Sequence, residues 1–148
     1  MTLKNSLTEA VKTAMKAREM DIVKILRNVQ AVIKKVEIDN QTELDDKAVL
    51  ELLQKQIKQR QESLEIYQAN GREDLAAKEQ LEIEVIGQFL PAQLDESALT
   101  AIIAAAISEL NAEGMKDMSK VMNLVKEQTV GQADPSVISG LVKKALTA

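Results

Sequence analysis

The sequence predicts an all-α protein. The strong helix formers Leu, Ala, Lys, Glu and Gln are abundant, and only two prolines and five glycines interrupt 148 residues. So few turn residues are atypical of a β-sheet protein. Aliphatic side chains also recur at three- and four-residue intervals, as they do in amphipathic helices. We therefore predict an amino-terminal antiparallel domain of about four helices, followed by a small three-helix carboxy-terminal domain.

The first two predicted helices carry the clearest apolar stripes. In residues 3–18 the stripe consists of Leu3, Leu7, Val11 and Ala14. The second stripe consists of Ile22, Ile25, Leu26, Val29, Ile33 and Val36. Asp21 stands immediately before the second stripe, where an N-cap residue is expected. We predict that the second helix ends near Asn40.

Two further helices complete the predicted amino-terminal domain. The third opens at Asp45 or Asp46 and closes at Asn70-Gly71, because glycine tolerates the left-handed backbone of a C-cap. Arg60 lies near the apolar stripe of this helix, where it could form a buried ion pair or extend its head group to solvent. The fourth helix runs from about Arg72 to Phe89.

The pattern changes after Pro91, which disfavours helix in the residue before it. The segment 91–94 is therefore the predicted linker between a domain of residues 1–90 and a domain of residues 95–148. In the second domain, Asp95 caps a helix that is closed by Gly114. Another begins at Asp117 or Ser119 and is closed by Gly131, and Asp134 caps the last helix ahead of Pro135.

The composition removes the commonest catalytic side chains. The chain contains no histidine and no cysteine, and its only aromatic residues are Tyr67 and Phe89. A histidine base, a thiol nucleophile and an aromatic platform for stacking bases are thereby excluded. There is also no glycine-rich phosphate loop or dinucleotide fingerprint. We expect no cofactor and no catalytic residues.

Two remaining arrangements resemble catalytic or metal sites. Ser139 and Lys143 are four residues apart on one helix, but the sequence shows no partner for a Ser–Lys dyad. The acidic pairs Glu62/Glu65 and Glu79/Glu82 lack the histidines that complete helical di-metal sites. We interpret the acidic pairs as solvent-facing charges and Lys143-Lys144 as complements of the helix dipole, and we expect no metal.

Charge is distributed unevenly along the chain. Residues 1–38 contain eight Lys/Arg and four Asp/Glu (+4), residues 39–96 contain six and fourteen (−8), and residues 97–148 contain five of each. Ordinary solvated helix faces account for this pattern. The net charge of −4 argues against binding to nucleic acid over the whole surface.

The location expected from the sequence is the cytoplasm. The first residues lack the apolar run of a signal peptide, and no stretch is long and apolar enough for a membrane helix. Without cysteines there are no disulfides to indicate an oxidising compartment. We expect no association with a membrane.

Five short segments, in this order and spacing, resemble a known family. They are residues 58–63 (KQRQES), 71–75 (GREDL), 89–91 (FLP), 116–122 (KDMSKVM) and 131–134 (GQAD). Together they resemble the YqeY-like family of small bacterial proteins, and the resemblance covers essentially the whole chain. The family's helical architecture is shared with the tail of GatB, the tRNA-binding subunit of the glutamine-dependent aspartyl/glutamyl-tRNA amidotransferase.

The resemblance implies two all-α domains and a link to tRNA or to amide transfer. Within its segments, the residues to which it assigns a structural role are Arg60, Gly71, Arg72, Leu90, Pro91, Asp117, Met118, Gly131 and Asp134. In the amidotransferase the tail helps to hold tRNA, whereas the chemistry belongs to other domains. A carbon–nitrogen ligase activity with glutamine as donor would thus be a label inherited through the family.

The function expected from these observations is that of a non-catalytic accessory module that binds tRNA or a tRNA-handling enzyme. The candidate binding residues are the carboxy-terminal lysines, Lys116, Lys120, Lys126, Lys143 and Lys144. Lysines contact phosphates without reading sequence, so the shape of a folded RNA would provide selectivity. The alternative is a protein-interaction adaptor, because the acidic stretch 39–96 repels phosphate and its long third helix offers a docking face.

Overall fold

A computed structural model of the chain describes residues 2–148. All regular secondary structure in these residues is helical, which confirms the predicted fold class. The helices are α1 (Leu3–Lys16), α2 (Met20–Asn40), α3 (Asp46–Ala69), α4 (Glu73–Gly87), α5 (Glu96–Leu110), α6 (Met118–Gln128) and α7 (Pro135–Thr147). A short 3₁₀ turn, Met115–Asp117, precedes α6. The chain divides into two compact units, with the boundary between Leu90 and Pro91.

The first unit is organised around the α1–α2 hairpin and the adjoining ends of α3 and α4. Its buried core is purely aliphatic and consists of Leu7, Val11, Ala14, Val23, Ile25, Leu26, Val29, Ile33, Val49, Leu53, Val85 and Ile86. The predicted stripe of α1 supplies the first members of this core. Two residues of α3, Val49 and Leu53, are fully buried, and both lie in the first third of that helix.

The second unit packs α5, α6 and α7 around a smaller core. Its buried members are Leu99, Ile103, Ala106, Val121, Val125, Ala133, Ile138 and Val142. Leu94 and several half-buried aliphatic side chains, including Met118 and Met122, complete this cluster. The methionines therefore fill space at the edge of an aliphatic core, a role that their flexible side chains suit.

Four of the helices begin at a residue whose side chain caps the helix. Thr2, Asp45, Asp95 and Asp134 each accept a hydrogen bond from a backbone N–H in the first turn of the helix that follows. Such a cap satisfies one of the unpaired donors of the helix start and contributes about 1 kcal/mol. The caps predicted at Asp45, Asp95 and Asp134 are thus confirmed, as is the left-handed Gly71, whose φ is 69°.

The start of α2 differs from the prediction. Asp21 lies inside the first turn, and Glu19 occupies the N-cap position without a side-chain hydrogen bond. The reason is the short connection from α1, in which Arg18 adopts a left-handed φ of 57°. The Glu19 N–H then donates to the carbonyl of Ala14 at 3.0 Å, so α2 begins before Asp21 is reached.

The predicted end of the fifth helix was also wrong. This helix ends at Leu110, because Asn111 adopts a left-handed φ of 50° and acts as its C-cap. Asparagine takes this conformation more readily than most residues, so it replaces Gly114 in the expected role. Leu110, the last residue of this helix, is 38% exposed.

The sixth helix ends at Gln128, three residues before the glycine predicted to close it. Thr129 is buried, and its Oγ1 donates to the carbonyl of Val125 at 2.7 Å. Threonine hydroxyls that bond back in this way compete with the backbone ladder and favour termination of a helix. Gly131 instead supplies the left-handed residue, with φ 76°, in the loop that leads to α7.

A single carboxylate joins α1, α2 and the loop that leads to α3. Glu37 accepts a hydrogen bond from Lys4 Nζ at 2.7 Å and a second from the backbone N–H of Leu44 at 2.9 Å. The bond from Lys4, followed by that from Leu44, holds the pKa of Glu37 below its ordinary value, and the same contact raises the pKa of Lys4. The folded state therefore favours the charged form of Glu37.

We expect the substitution Glu37→Gln to lower the melting temperature at neutral pH. A carboxyl whose pKa is lowered by folding stabilises the protein above its ordinary pKa of about 4.3, and this stabilisation is lost as the pH falls through the lower folded-state value. The difference between the two proteins should accordingly shrink in acid. Thermal unfolding between pH 7 and pH 3 measures it. Glu9→Gln, which breaks an exposed pair with Lys12, is the control and should change little.

Candidate functional site

The five candidate lysines lie on the second unit, and all of them are exposed. Lys116 lies in the 3₁₀ turn, Lys120 and Lys126 on α6, and Lys143 and Lys144 on α7. The Nζ atom of Lys116 is 3.1 Å from a carboxylate oxygen of Glu113, so part of its charge is offset. Exposed lysines of this kind can reach phosphate groups, but no hydrogen bond organises these five into one site.

The residues of the family segments lie mainly at turns and caps. Asp117 precedes α6, and its Oδ2 accepts from the backbone N–H of Glu113 at 3.0 Å, which secures the turn between α5 and α6. Met118 packs at the edge of the second core. Gly71 provides the left-handed residue between α3 and α4, and Arg72 pairs with Asp74 in an exposed contact of 3.4 Å.

The segment around Pro91 and the loop before α7 are hydrogen-bonded to each other. The backbone N–H of Leu94 donates to the carbonyl of Gln132 at 2.9 Å, and Gln93 Nε2 donates to the carbonyl of Gly131 at 2.8 Å. Gln132 Nε2 in turn donates to the carbonyl of Ala92 at 3.3 Å. The residues predicted to form a linker are therefore bonded to the second unit. The family segment 131–134 thus meets the residues that directly follow the segment 89–91.

Arg60 forms an ion pair between α3 and α4. Its Nε donates to Glu82 Oε2 at 2.9 Å, and its Nη1 donates to Gln56 Oε1 at 2.7 Å. Both charged side chains are largely covered, at 18% exposure for Arg60 and 13% for Glu82. Of the two alternatives open for Arg60, the structure therefore shows the ion pair.

Glu79 lies beside this pair without sharing it. Its Oε2 atom is buried and has no hydrogen-bond partner among residues 2–148. Burial, and secondarily the neighbouring Glu82 carboxylate, raise the pKa of Glu79. The charged form of this side chain is thus disfavoured by the fold, and the sequence alone, which suggested a solvent-facing charge, did not indicate it.

The structure also places the other arrangements noted in the sequence. Lys143 is exposed, whereas the lysine of a Ser–Lys dyad works from a desolvated pocket. Glu62 and Glu65 are exposed. Residues 2–148 contain no group of three or more acidic side chains placed to hold a metal ion. Within the same residues, no helix has the length and apolar content needed to cross a membrane.

One surface depression lies near the connection between α1 and α2. It has a volume of about 440 Å³ and is lined by Arg18, Glu19, Met20, Asp21, Ile22 and Leu81. The guanidinium of Arg18 is accompanied by the two carboxylates of Glu19 and Asp21. Because these charges oppose one another, the depression favours neither an anionic nor a cationic ligand.

Comparison with known proteins decides the family. Residues 4–146 match the family model described as "Yqey-like protein". This chain belongs to the YqeY-like family. Because the match includes both units, the five short segments that suggested the resemblance are parts of one continuous similarity.

The YqeY-like chain is also similar to curated fungal proteins. It is 35% identical to "Altered inheritance of mitochondria protein 41, mitochondrial" of Eremothecium gossypii, over 96% of this chain and 79% of that protein. Proteins of the same name from Lachancea thermotolerans and Pyrenophora tritici-repentis are 30% and 28% identical, each over 93% of this chain and 77% of the relative.

These names correct two expectations. A cytoplasmic location and a bacterial assignment were predicted, and both are wrong by this comparison, because the relatives are fungal and named as mitochondrial. The physical reason is that the absence of cysteines and of an apolar span excludes disulfides and a helical anchor only. A protein of the mitochondrion can share both features with a cytoplasmic one.

We expect Arg60→Gln to lower the free energy of unfolding of this YqeY-like protein by about 1–2 kcal/mol, between the values for exposed and fully buried pairs. The substitution leaves Glu82 charged, covered and next to Glu79. Urea denaturation measures the change. Arg72→Gln, which breaks an exposed pair in a neighbouring family segment, is the matched control and should cost less than about 0.5 kcal/mol. Equal losses would contradict a special role for Arg60.

The substitution Glu79→Gln should have the opposite effect and stabilise the protein by about 0.5 kcal/mol at pH 7, the scale of a like-charge pair on one helix. Since folding raises the pKa of Glu79, its charged form destabilises the protein at neutral pH. This penalty disappears as the pH falls toward the ordinary carboxyl value near 4.3. Denaturation at pH 7 and pH 4 should therefore show a gain that vanishes in acid.

Proposed function

We propose that this YqeY-like protein is a non-catalytic helical module that binds tRNA or a tRNA-handling enzyme. The observation that carries the proposal is the match to the YqeY-like family over residues 4–146. The proposed arrangement is an amino-terminal domain of four antiparallel helices, 1–90, and a three-helix domain, 95–148, joined through 91–94. In this proposal the module contributes binding and leaves chemistry to a partner enzyme.

The side chains support binding rather than catalysis. In the five segments that resemble the family, Asp117, Asp134 and Arg60 take part in a turn, a cap and an ion pair. These contacts hold the helices that present the exposed side chains. The five carboxy-terminal lysines are the exposed cations of the second unit, and they are the proposed contacts to phosphate.

The relatives add a location to the proposal. Proteins named as mitochondrial in several fungi are similar to nearly the whole chain. We infer that this protein also acts with a mitochondrial partner. A tRNA or an enzyme of mitochondrial translation would satisfy both the proposed binding role and this location.

A protein-interaction adaptor is the second candidate, and the acidic stretch supports it. Residues 39–96 carry a charge of −8, and this stretch includes all of α3 and α4. In this candidate the long helix α3 is the docking face, and Ile66, which is 58% exposed near its end, lies on it. This candidate predicts a stoichiometric protein partner that remains bound after nuclease treatment.

We expect the purified protein to bind total tRNA more tightly than an unrelated duplex RNA. The logarithm of its affinity should fall linearly with the logarithm of salt concentration, because each phosphate contact releases counterions. The double substitution Lys116→Glu/Lys120→Glu should abolish retention of tRNA at low salt. Filter binding across a salt series measures both effects.

The matched control for this experiment is Lys47→Glu/Lys55→Glu, which makes the same change in net charge on two exposed lysines of α3. The control should bind nearly as the unaltered protein does. Unchanged binding by the Lys116/Lys120 variant would show that the carboxy-terminal lysines are not the contact. An absence of tRNA binding by the unaltered protein at low salt would overturn the RNA role and favour the adaptor.

A further inference from the structure

The solvent-exposed face of α2 is free of acidic side chains over most of its length. Between Asp21 and Glu37 the sequence contains four cations, Lys24, Arg27, Lys34 and Lys35, and no carboxylate. All four side chains are exposed. A surface helix of ordinary composition would intersperse both signs of charge, so this face is unusual within an acidic protein.

The four cations share one side of the helix. At 100° per residue they fall within an arc of about 100°, and they extend along about 17 Å of the helix axis. The small side chain of Ala31 lies within this arc and the polar side chain of Asn28 at its edge, and both are exposed. The core residues Val29 and Ile33 occupy the opposite side of the helix, so the cations project away from the protein.

The neighbouring helix extends this surface. α1 packs beside α2, with Gln30 Nε2 donating to Thr8 Oγ1 at 3.4 Å and Arg27 Nη2 directed at Met15 Sδ at 3.6 Å. Lys12 and Lys16 are exposed on α1. We define the basic hairpin face by its six cations: Lys12, Lys16, Lys24, Arg27, Lys34 and Lys35.

Two carboxylates interact with the basic hairpin face. Glu9 pairs with Lys12 at 3.3 Å in an exposed contact, and the charge of Glu37 is attracted to Lys34. Lys24 and Lys35 form no ion pair within the part of the chain that the structure describes. The second unit, by comparison, has five cations and seven carboxylates over residues 91–148. The strongest basic surface therefore lies on the first unit and not among the lysines selected from the sequence.

The chemistry of this face matches a row of phosphates. Lysine, arginine and asparagine are among the side chains that bind phosphate and sugar oxygens in nucleic-acid complexes. A helix that lies in a lipid surface instead buries large apolar side chains on its outer side. Between Ile22 and Val36 the exposed face of α2 has none, since its one apolar member is Ala31. The exposed apolar side chains of the hairpin are Met15, beside Arg27, and Met20 and Ile38 near the two ends of α2, so they form no continuous apolar stripe. This lack of a stripe favours a nucleic-acid backbone over an anionic membrane.

We propose that the basic hairpin face binds the phosphate backbone of a structured RNA. This inference rests on the proposed RNA-binding function and adds α1 and α2 to the carboxy-terminal lysines as a second set of phosphate contacts. Binding there depends on charge and spacing alone, because the face contains no aromatic side chain on which a base could stack. Selectivity would come from the shape of the RNA.

The test is the double substitution Lys24→Glu/Lys35→Glu in the full chain. The control is Lys47→Glu/Lys55→Glu, which changes the net charge of the protein by the same amount. The probe is total tRNA, titrated from about 50 to 200 mM salt. The α2 variant should lose at least tenfold in affinity. The slope of the logarithm of its affinity against the logarithm of salt concentration should become shallower by the contribution of about two phosphate contacts. The control should retain the slope of the unaltered protein. Circular dichroism verifies that both variants remain helical.

The outcomes separate this inference from the function on which it rests. Binding of tRNA that is lost in the α2 variant and kept in the control supports the inference. Binding that is equal in both variants overturns it and leaves an RNA role to the carboxy-terminal lysines. No binding by the unaltered protein overturns both the inference and the RNA-binding role on which it rests. Retention on phosphatidylserine vesicles without retention of tRNA would also overturn the inference, in favour of an anionic membrane.

Discussion

Burial of aliphatic side chains between helices is the interaction on which each unit depends. The chain has no disulfide, and its buried residues include no aromatic side chain. Each fully buried Leu, Ile or Val contributes about 1.5–3 kcal/mol when it leaves water. Branched aliphatic side chains fit together closely only if the helices present continuous stripes. The regular spacing of these residues is therefore a requirement of the fold.

The same constraint explains why a covered ion pair occurs in α3 and α4. The fully buried residues of α3 end at Leu53, although the helix continues to Ala69. Beyond that point α3 packs mainly against α4, where Ala76 is the buried residue of the first turns. Arg60, Gln56 and Glu82 connect the two helices where the aliphatic core becomes thin. A pair in this position replaces packing with directional bonds, and it specifies how the helices align.

Glu79 shows the cost of placing charges in that position. One guanidinium faces two neighbouring carboxylates, and the hydrogen bonds of Arg60 go to Glu82 and Gln56. The buried oxygen of Glu79 is left without a partner among the described residues. Burial is the main cause of the raised pKa of Glu79; the charge of Glu82 adds to the rise, and Arg60 opposes it.

The sequence predicted the helices well where periodicity or a side-chain cap decides them. The sequence identified three N-caps, Asp45, Asp95 and Asp134, because an aspartate directly before an apolar stripe favours the N-cap position of a helix. The errors came from backbone conformations that depend on context. A left-handed Arg18 starts α2 before Asp21, which was the predicted N-cap. A left-handed Asn111 ends α5 before Gly114, which was the predicted C-cap. Contacts between distant segments, such as Leu94 with Gln132, carry no periodic signal and were not predictable.

The candidate surface was harder to predict than the helices, because a charge has meaning only once its neighbours are known. The excess of +4 in residues 1–38 was consistent with ordinary solvated faces. It becomes specific when the structure places Lys24, Arg27, Lys34 and Lys35 on one exposed side of α2. Glu37, the next carboxylate along this helix, stays charged, but it accepts hydrogen bonds from Lys4 and Leu44 and also interacts with Lys34. The contact that stabilises α1 against α2 therefore determines where the charge of this carboxylate lies.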